Sequence, residues 1–483
     1  ATSRRQKKLR SLWSRVLRIS EEEIGLNDNF FLLGGDSITA MKLVSEARSE
    51  GIKLTVMQMF QKRSLYDMAS IMEEDVASTQ VTEDVAPFSL LDVPDVAEFV
   101  ETVVRPQLAD QSWQVSNVLP TRPLQQVAVK GTTQMPKFST RYELMYFDAA
   151  VDRARLAKAC NELVSRNEIL RTAFVEHAGQ GYGVVIEDLR CPFVEYATDV
   201  DVEAFSKQLC QLDVLTSIPL GSCFVNWFLV ESVAGQSCLI FRISHAQYDE
   251  ICLPILLKQL SALYENAPVP ASIPFSSYVG HVVSRSVPAS IPYWRDLLAG
   301  SAMTILKPDV RVEKTNHFAV EKSVDISSRP RDVTVATLPT AAWALCLARR
   351  LGLKDVVFGE VVSGRNIDFP NADAVTGPCW QYVPVRVRFE PSWTVADLLA
   401  HIQHQHVASS AHEGVGLSEI MAQCTDWDPS TTPDWFDSVV HQDVAHVETL
   451  PFAAASGRME TVYPHEEPLR EWKIQAFIDG GSM

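Results

Sequence analysis

A serine at position 37 begins a segment of helical spacing, directly behind a glycine pair and a small acid. Residues 30–33 are apolar, Gly34-Gly35-Asp36 follow, and apolar residues then recur at helical spacing through Ala47. The glycine pair predicts a turn that ends the apolar run. The pattern therefore predicts a hydroxyl at a helix start, where the field of the helix and free N–H groups favour an anionic substituent such as a phosphodiester.

A histidine at position 245 follows a second apolar run. Residues 239–243 have the composition of a strand, His245 comes directly after Ser244, and a helical pattern begins near residue 251. This places an imidazole at the end of a strand, a common position for catalytic groups. Because the ordinary pKa of histidine is near 6.5, such a group can take a proton from an attacking amine at neutral pH. For a single histidine, the alternative interpretation is a core residue.

Charge and composition argue against several classes of function. The net charge of −17 argues against a nucleic-acid partner, because phosphate binding needs a basic surface. No stretch approaches the eighteen or so apolar residues that a membrane span needs. The nine cysteines show no paired spacing, which is typical of reduced thiols in the cytoplasm. Since the first residue is Ala1, we expect the chain to be a piece of a longer protein.

The helix and strand patterns divide the 483 residues into four parts. Residues 1–77 are predicted to form a small helical bundle, in which Ser64 marks the start of the last helix. Residues 78–115 are acidic and contain prolines, so we predict an ordered linker. The rest alternates strands and helices, which predicts an α+β fold in two lobes, with boundaries at 116–280 and 281–483.

Two segments carry a resemblance to known families. The Gly34-Gly35-Asp36-Ser37 segment resembles the phosphopantetheine attachment site of a peptidyl carrier protein, whose fold is a small four-helix bundle. Residues 243–249, Ile-Ser-His-Ala-Gln-Tyr-Asp, resemble the histidine signature of a nonribosomal peptide condensation domain, and residues 165–174 resemble its second motif. The resemblance implies a V-shaped pair of chloramphenicol-acetyltransferase-like lobes with an active-site tunnel between them.

The resemblance also implies roles for individual residues. Ser37 is expected to carry a covalent 4′-phosphopantetheine, added by a phosphopantetheinyl transferase, and to hold a peptidyl thioester made by upstream synthetase modules of the same polypeptide. His245 is expected to assist deprotonation of the attacking amine. Asp249 is expected to form a buried salt bridge with Arg365 that supports the active site; an orienting role as in a triad is the other interpretation.

Ser244 and Glu250 depart from the usual signature, which begins with two histidines and ends in aspartate-glycine. The serine form is similar to that of terminal condensation domains of fungal synthetases, the fumiquinazoline type among them, which release a peptide by macrocyclisation. We therefore predict release of a peptidyl thioester by intramolecular amide formation, with Ser244, Glu250 and Trp380 at the substrate tunnel. The alternatives are condensation with an external amine or alcohol, and a non-catalytic docking platform.

Two further patterns are interpreted as unrelated to the function. His401, His404 and His406 have no carboxylate at ligand spacing, so we interpret them as an exposed helix flank and predict no metal. The Gly-x-Gly-x-Gly of residues 179–183 lies between two strands. It therefore predicts a hairpin turn rather than a nucleotide-binding loop.

Overall fold

The structure, a computed structural model, describes most of the chain. The described residues are 3–17, 19–35, 37–54, 58–59, 62–74, 85–134, 139–147, 151–233, 235–306, 319–330, 333–428, 430, 432–433, 435–442, 449–452, 455–464, 472–477 and 482–483. Among them, no helix is both long enough and apolar enough to cross a membrane.

Helices and strands follow one another along the whole chain. The α-helices are α1 Arg4–Leu17, α2 Ser37–Ser49, α3 Leu65–Ile71, α4 Val96–Phe99, α5 Pro123–Thr133, α6 Arg153–Arg166, α7 Val202–Asp213, α8 Cys252–Glu265, α9 Phe275–His281, α10 Val287–Leu298, α11 Thr337–Leu351, α12 Val395–Ser409 and α13 Leu417–Cys424. The strands are β1 Ile52–Lys53, β2 Glu73–Glu74, β3 Val115–Pro120, β4 Thr140–Phe147, β5 Thr172–His177, β6 Gln180–Ile186, β7 Phe193–Thr198, β8 Asn226–Ser232, β9 Ser237–Ser244, β10 Ile273–Pro274, β11 Asp355–Val362, β12 Val375–Thr376, β13 Gln381–Arg388, β14 Ser438–Gln442, β15 Thr449–Phe452, β16 Ala455–Val462 and β17 Trp472–Ala476.

The first part of the chain is a helical unit with its own apolar core. Helices α1, α2 and α3 contribute buried residues to one cluster, in which the Trp13 ring meets the Phe30 ring edge-on at a centroid distance of 5.2 Å. The apolar face predicted for α1 is confirmed, because Leu9 and Leu12 are fully buried. The predicted start of α3 is also confirmed, since the Ser64 hydroxyl accepts a hydrogen bond from the backbone of the third helical residue.

The first α+β lobe is built on a six-stranded sheet in the order β15-β16-β4-β9-β8-β7. Strand β9 lies between β4 and β8, antiparallel to both, and all eight of its residues are buried. Helices α6 and α8 share a core with one face of this strand, and residues of α7 share a core with the other. Cover on both faces explains why residues 238–241 of β9 are all apolar rather than alternating with polar residues.

The second lobe is built on a four-stranded sheet in the order β13-β11-β14-β17. Strands β11 and β13 are antiparallel, whereas β14 is parallel to both β11 and β17. Helices α11 and α12 pack on one face of the sheet, and α10 and α13 share a core with the other. The two-lobed α+β fold predicted from the sequence is therefore present.

The strand pairing departs from the predicted lobe boundary at one point. Strand β16, from the C-terminal part of the chain, pairs with β4 and thus joins the sheet of the first lobe. This pairing provides hydrogen-bond partners for the backbone groups on the edge of β4 that does not face β9. Strands β15 and β16 therefore lie outside the lobe that residues 281–483 were expected to form.

Candidate active site

His245 is fixed in place by the strand that ends immediately before it. The backbone N–H of His245 donates to the carbonyl of Ser139 at 2.9 Å, which continues the pairing of β9 with β4. The side chain keeps 23 % of its surface exposed, although the preceding strand is fully buried. A rigid strand thus presents an imidazole that a substrate atom can reach.

The surroundings of His245 hold the ring neutral. The Tyr248 ring stacks on it at a centroid distance of 4.3 Å, and the Tyr248 hydroxyl lies 3.0 Å from Nε2. Burial by these neighbours lowers the pKa of His245 to about 3, and the positive charges of Arg141 and Lys473 lower it further. Because the His245 ring is neutral throughout the physiological pH range, it can accept a proton.

Asp249 forms a buried ion pair with Arg365 across the lobes. Both carboxylate oxygens accept from Arg365 Nη2, at 2.8 and 2.7 Å, and they also accept from the backbone N–H groups of Cys252 and Cys379. Nη1, the second terminal nitrogen of the guanidinium, donates to the carbonyls of Ala372 and Val375. The pair therefore fastens the loop that carries His245 to the loops of the second lobe, and the carboxylate does not contact the imidazole.

Glu250, the residue after Asp249, lies close to both His245 and Arg141. One of its carboxylate oxygens is 4.0 Å from His245 Nε2 and 3.3 Å from Arg141 Nη1. Arg141 also donates to Glu143 and to Thr461, so this network joins the histidine loop to strands β4 and β16. A departure from the usual signature thus brings a negative charge next to the histidine.

The two remaining residues predicted at the tunnel occupy different environments. The Ser244 side chain is buried, and its hydroxyl shares a hydrogen bond of 2.6 Å with Thr132 and accepts from the backbone N–H of Ala246. It therefore braces the strand end against α5. The Trp380 ring lies 5.3 Å from the His245 ring, centroid to centroid, and forms a wall of the site.

The helix that begins at Ser37 lies against the second lobe. Gly34 has a φ of +105°, and a side chain on Gly35 would come within 2.4 Å of the Phe30 ring, so the turn requires both glycines. Asp36 is outside the described residues. Helix α2 contacts the turn Ala372–Ala374, and Arg365 donates a hydrogen bond to the carbonyl of Ala372 in that turn. Ile251 packs on the core of the helical unit.

Helix α2 begins at Ser37, and the first N–H groups of a helix have no partner within it, so a helix start of this kind suits a phosphodiester. The contacts of α2 with the turn at 372–374 also place this helix beside the loops that hold Asp249. The site for a covalent arm and the histidine therefore belong to neighbouring elements.

Of the three histidines on α12, His404 is exposed as the sequence suggested, whereas His406 is not. His406 is largely buried, and its Nε2 lies 2.9 Å from a Glu360 oxygen, which raises the pKa of His406 despite its burial. The prediction failed because Glu360 is remote in sequence and reaches the helix only through β11. Among the described residues, no group of three candidate ligands lies close enough to hold a metal ion.

Sequence reasoning missed several charged residues around the site. Arg141 and Glu143 alternate in an otherwise apolar strand, which is a signal that they face a common polar site. His441 on β14 and Lys473 on β17 come from the far end of the chain and carry no local signal. Burial and the charge of Lys473 lower the pKa of His441 to about 3, as they do for His245.

Comparison with protein families supports the division into a carrier and a catalytic unit. Residues 7–71 match the family model described as "Phosphopantetheine attachment site". Residues 116–483 match the family model described as "Condensation domain".

Curated proteins and a solved structure give the same result. The chain is 60% identical over 482 residues to "Nonribosomal peptide synthetase 1" of Ajellomyces capsulatus, and 53% identical over 513 residues to "Nonribosomal peptide synthetase SIDD" of Beauveria bassiana. All of this chain is covered in both cases, but only 26% and 28% of those proteins, so the chain spans about a quarter of their length. The solved structure titled "The crystal structure of holo T3CT" is 29% identical, with a TM-score of 0.70 over 82% of this chain and 90% of that one.

Proposed function

The chain belongs to the condensation-domain family of nonribosomal peptide synthetases, with a phosphopantetheine attachment domain in front of it. From this premise we propose that it releases a carrier-bound peptidyl thioester by acyl transfer to an amine of the same peptide. The amide that forms closes a ring. His245 takes the proton of the attacking group, and Ser37 is the attachment point of the substrate.

The environment of His245 is the observation that carries the proposal. The ring is stacked on Tyr248, and burial together with the charges of Arg141 and Lys473 lowers its pKa to about 3, so it enters the reaction unprotonated. When the amine attacks, the bond from nitrogen to the acyl carbon forms and the carbon–sulfur bond breaks. The imidazole receives the proton of the amine and returns it to the departing sulfur. Such proton transfer typically contributes about 10²- to 10⁴-fold to a rate.

The phosphopantetheine, when bound, supplies a flexible arm that carries the acyl group as a thioester. The residues of this chain do the rest: α2 contacts the turn at 372–374, and Ile251 packs on the carrier core two residues after Asp249. This interface supports delivery of the thioester beside the histidine loop. Because the substrate is tethered, its local concentration is about millimolar without any dedicated binding pocket.

The serine form of the histidine signature supports attack from within the same peptide. An internal nucleophile gains orientation as well as concentration, so it competes well against solutes. A hydroxyl of the same peptide would pass its proton to the same imidazole and give a cyclic ester. Both products differ in mass from an adduct with an external acceptor.

The experiment that tests this proposal uses the protein loaded at Ser37. A phosphopantetheinyl transferase transfers arms from a panel of synthetic tripeptidyl-coenzyme A donors, each with a free N-terminal amine, and released products are followed by mass spectrometry in a single turnover. We expect release from at least one donor, and a loss of about 10²-fold or more in His245→Ala with loading unchanged. Release at the original rate from His245→Ala, or none from any donor, would contradict the proposal.

A further inference from the structure

We propose that Glu250 is a second group of the catalytic site, which stabilises the imidazolium of His245 as the proton of the nucleophile arrives. The inference rests on the proposed function, because it concerns the same proton transfer. It assigns a role to a carboxylate that stands where the usual signature has a glycine.

The charges that face His245 make such a group necessary. Arg141 reaches the ring region from β4, and Lys473 acts on it from β17, so two cations oppose its protonation. The other titratable neighbours are neutral: the hydroxyls of Tyr248 and Tyr463, whose pKa values burial raises, and the buried imidazole of His441. A proton that moves to His245 therefore adds a third positive charge to the site unless an anion lies close by.

Asp249 meets that need only in part. Both of its oxygens are occupied by Arg365, and the same oxygens accept from the backbone N–H groups of Ile251, Cys252 and Cys379. Its negative charge still favours protonation of His245, but the carboxylate is engaged by a guanidinium and several N–H dipoles. Glu143 is buried and forms an ion pair with Arg141.

Glu250 has the required position. Its carboxylate oxygen lies 4.0 Å from His245 Nε2, and its side chain keeps 26 % of its surface exposed. The contact of 3.3 Å with Arg141 Nη1 holds the carboxylate there. When the imidazole of His245 is neutral, its electrostatic interaction with Glu250 is weak. When the ring is an imidazolium, the carboxylate at this distance attracts it strongly. The interaction is therefore stronger in the transition state than in the resting enzyme, as catalysis requires.

The proton balance of the step is unchanged by this role. The nucleophile loses its proton to the imidazole as its bond to the acyl carbon forms, and the imidazolium returns the proton to the sulfur as the carbon–sulfur bond breaks. Glu250 remains a carboxylate throughout and acts only through its charge.

Three substitutions at position 250 separate charge from shape. Glu250→Gln keeps the shape and can still accept from Arg141, Glu250→Asp keeps the charge, and Glu250→Gly restores the usual residue. Glu176→Gln, on an exposed part of β5, is the matched control. We expect single-turnover release to fall about tenfold or more in Glu250→Gln and Glu250→Gly, since one pKa unit of lost stabilisation corresponds to a factor of ten in rate. Glu250→Asp should retain most of the rate.

The assay runs beside His245→Ala with the tripeptidyl-coenzyme A donor that reacts best, and melting temperatures are measured for every variant. Unchanged rates in Glu250→Gln, or equal losses in Glu250→Asp and Glu250→Gln, would overturn the role of the charge. The release rate of His245→Ala tests the proposed function independently of Glu250. If release is slow in His245→Ala but has the original rate in Glu250→Gln, only the inference about Glu250 is refuted.

Discussion

At the scale of single residues, neighbouring positions of one short loop perform different tasks. The His245 side chain is partly exposed and lies 3.0 Å from the Tyr248 hydroxyl, whereas Asp249 is buried among N–H donors and a guanidinium. Removing the imidazole of His245 leaves few polar groups without a hydrogen-bond partner. Removing the carboxylate leaves the Arg365 charge buried and unpaired, which costs about 3–5 kcal/mol in comparable cases.

We therefore predict different outcomes for two alanine variants. His245→Ala should lose release while its melting temperature stays close to the original value. Asp249→Ala should lose activity and also about 3–5 kcal/mol of unfolding free energy, measured by urea denaturation. An Asp249→Ala protein as stable as the original would show that the carboxylate serves chemistry rather than structure.

At the scale of elements, the loop that carries Arg365 is held by one carboxylate at the end of α12. Glu413 accepts from the backbone N–H of Gly364 at 3.1 Å and from the Asn366 amide at 2.9 Å. Burial outweighs these hydrogen bonds and raises the pKa of Glu413 to about 7. Since an unfolded glutamate titrates near 4.5, the folded state binds one more proton between these two values.

This proton difference predicts a pH-dependent effect of Glu413→Gln. The contribution of a group with a raised pKa is fully present below pH 4.5 and is lost as the pH rises toward 7. The amide cannot titrate, so the variant should gain stability relative to the original protein between pH 5 and pH 7.5, by about 2–3 kcal/mol. Urea denaturation of both proteins at both pH values gives the difference in unfolding free energy between variant and original protein at each pH. A stability difference that is the same at both would contradict the raised pKa.

The elements around the site could be predicted only as far as the information was local. The strand before His245, the helix after it and the cap at Ser64 follow from patterns within a few residues, and the structure contains them. The pairing of β16 with β4 and the ion pair of His406 with Glu360 join distant segments. Nothing near His441 or Lys473 in the sequence indicates that they face His245, because only the meeting of the two lobes brings them there.

At the scale of the whole molecule, the carrier and the catalytic unit meet next to the residues that support the histidine loop. Ile251 is the apolar side chain of that loop which packs on the carrier core. We therefore propose that the interface couples the position of α2 to the position of His245. Disrupting it should affect release without affecting the modification of Ser37.

We predict that Ile251→Ser slows release from the loaded carrier by about tenfold, because a polar side chain weakens the apolar contact. Loading of the arm should be unchanged. Leu212→Ser is the control, since Leu212 is 57% exposed on α7. The rate is measured by single-turnover mass spectrometry, and equal rates for Ile251→Ser and the original protein would show that this contact does not serve delivery.

The account depends most on release by attack from within the same peptide, and the mass of the released product tests this directly. With a reactive tripeptide on Ser37, single-turnover release in the presence of rising concentrations of an external amine should yield a product lighter than the hydrolysed peptide by one water. Its rate should not change with the amine. A linear adduct whose formation rises with amine concentration would contradict the account and show that the nucleophile comes from outside.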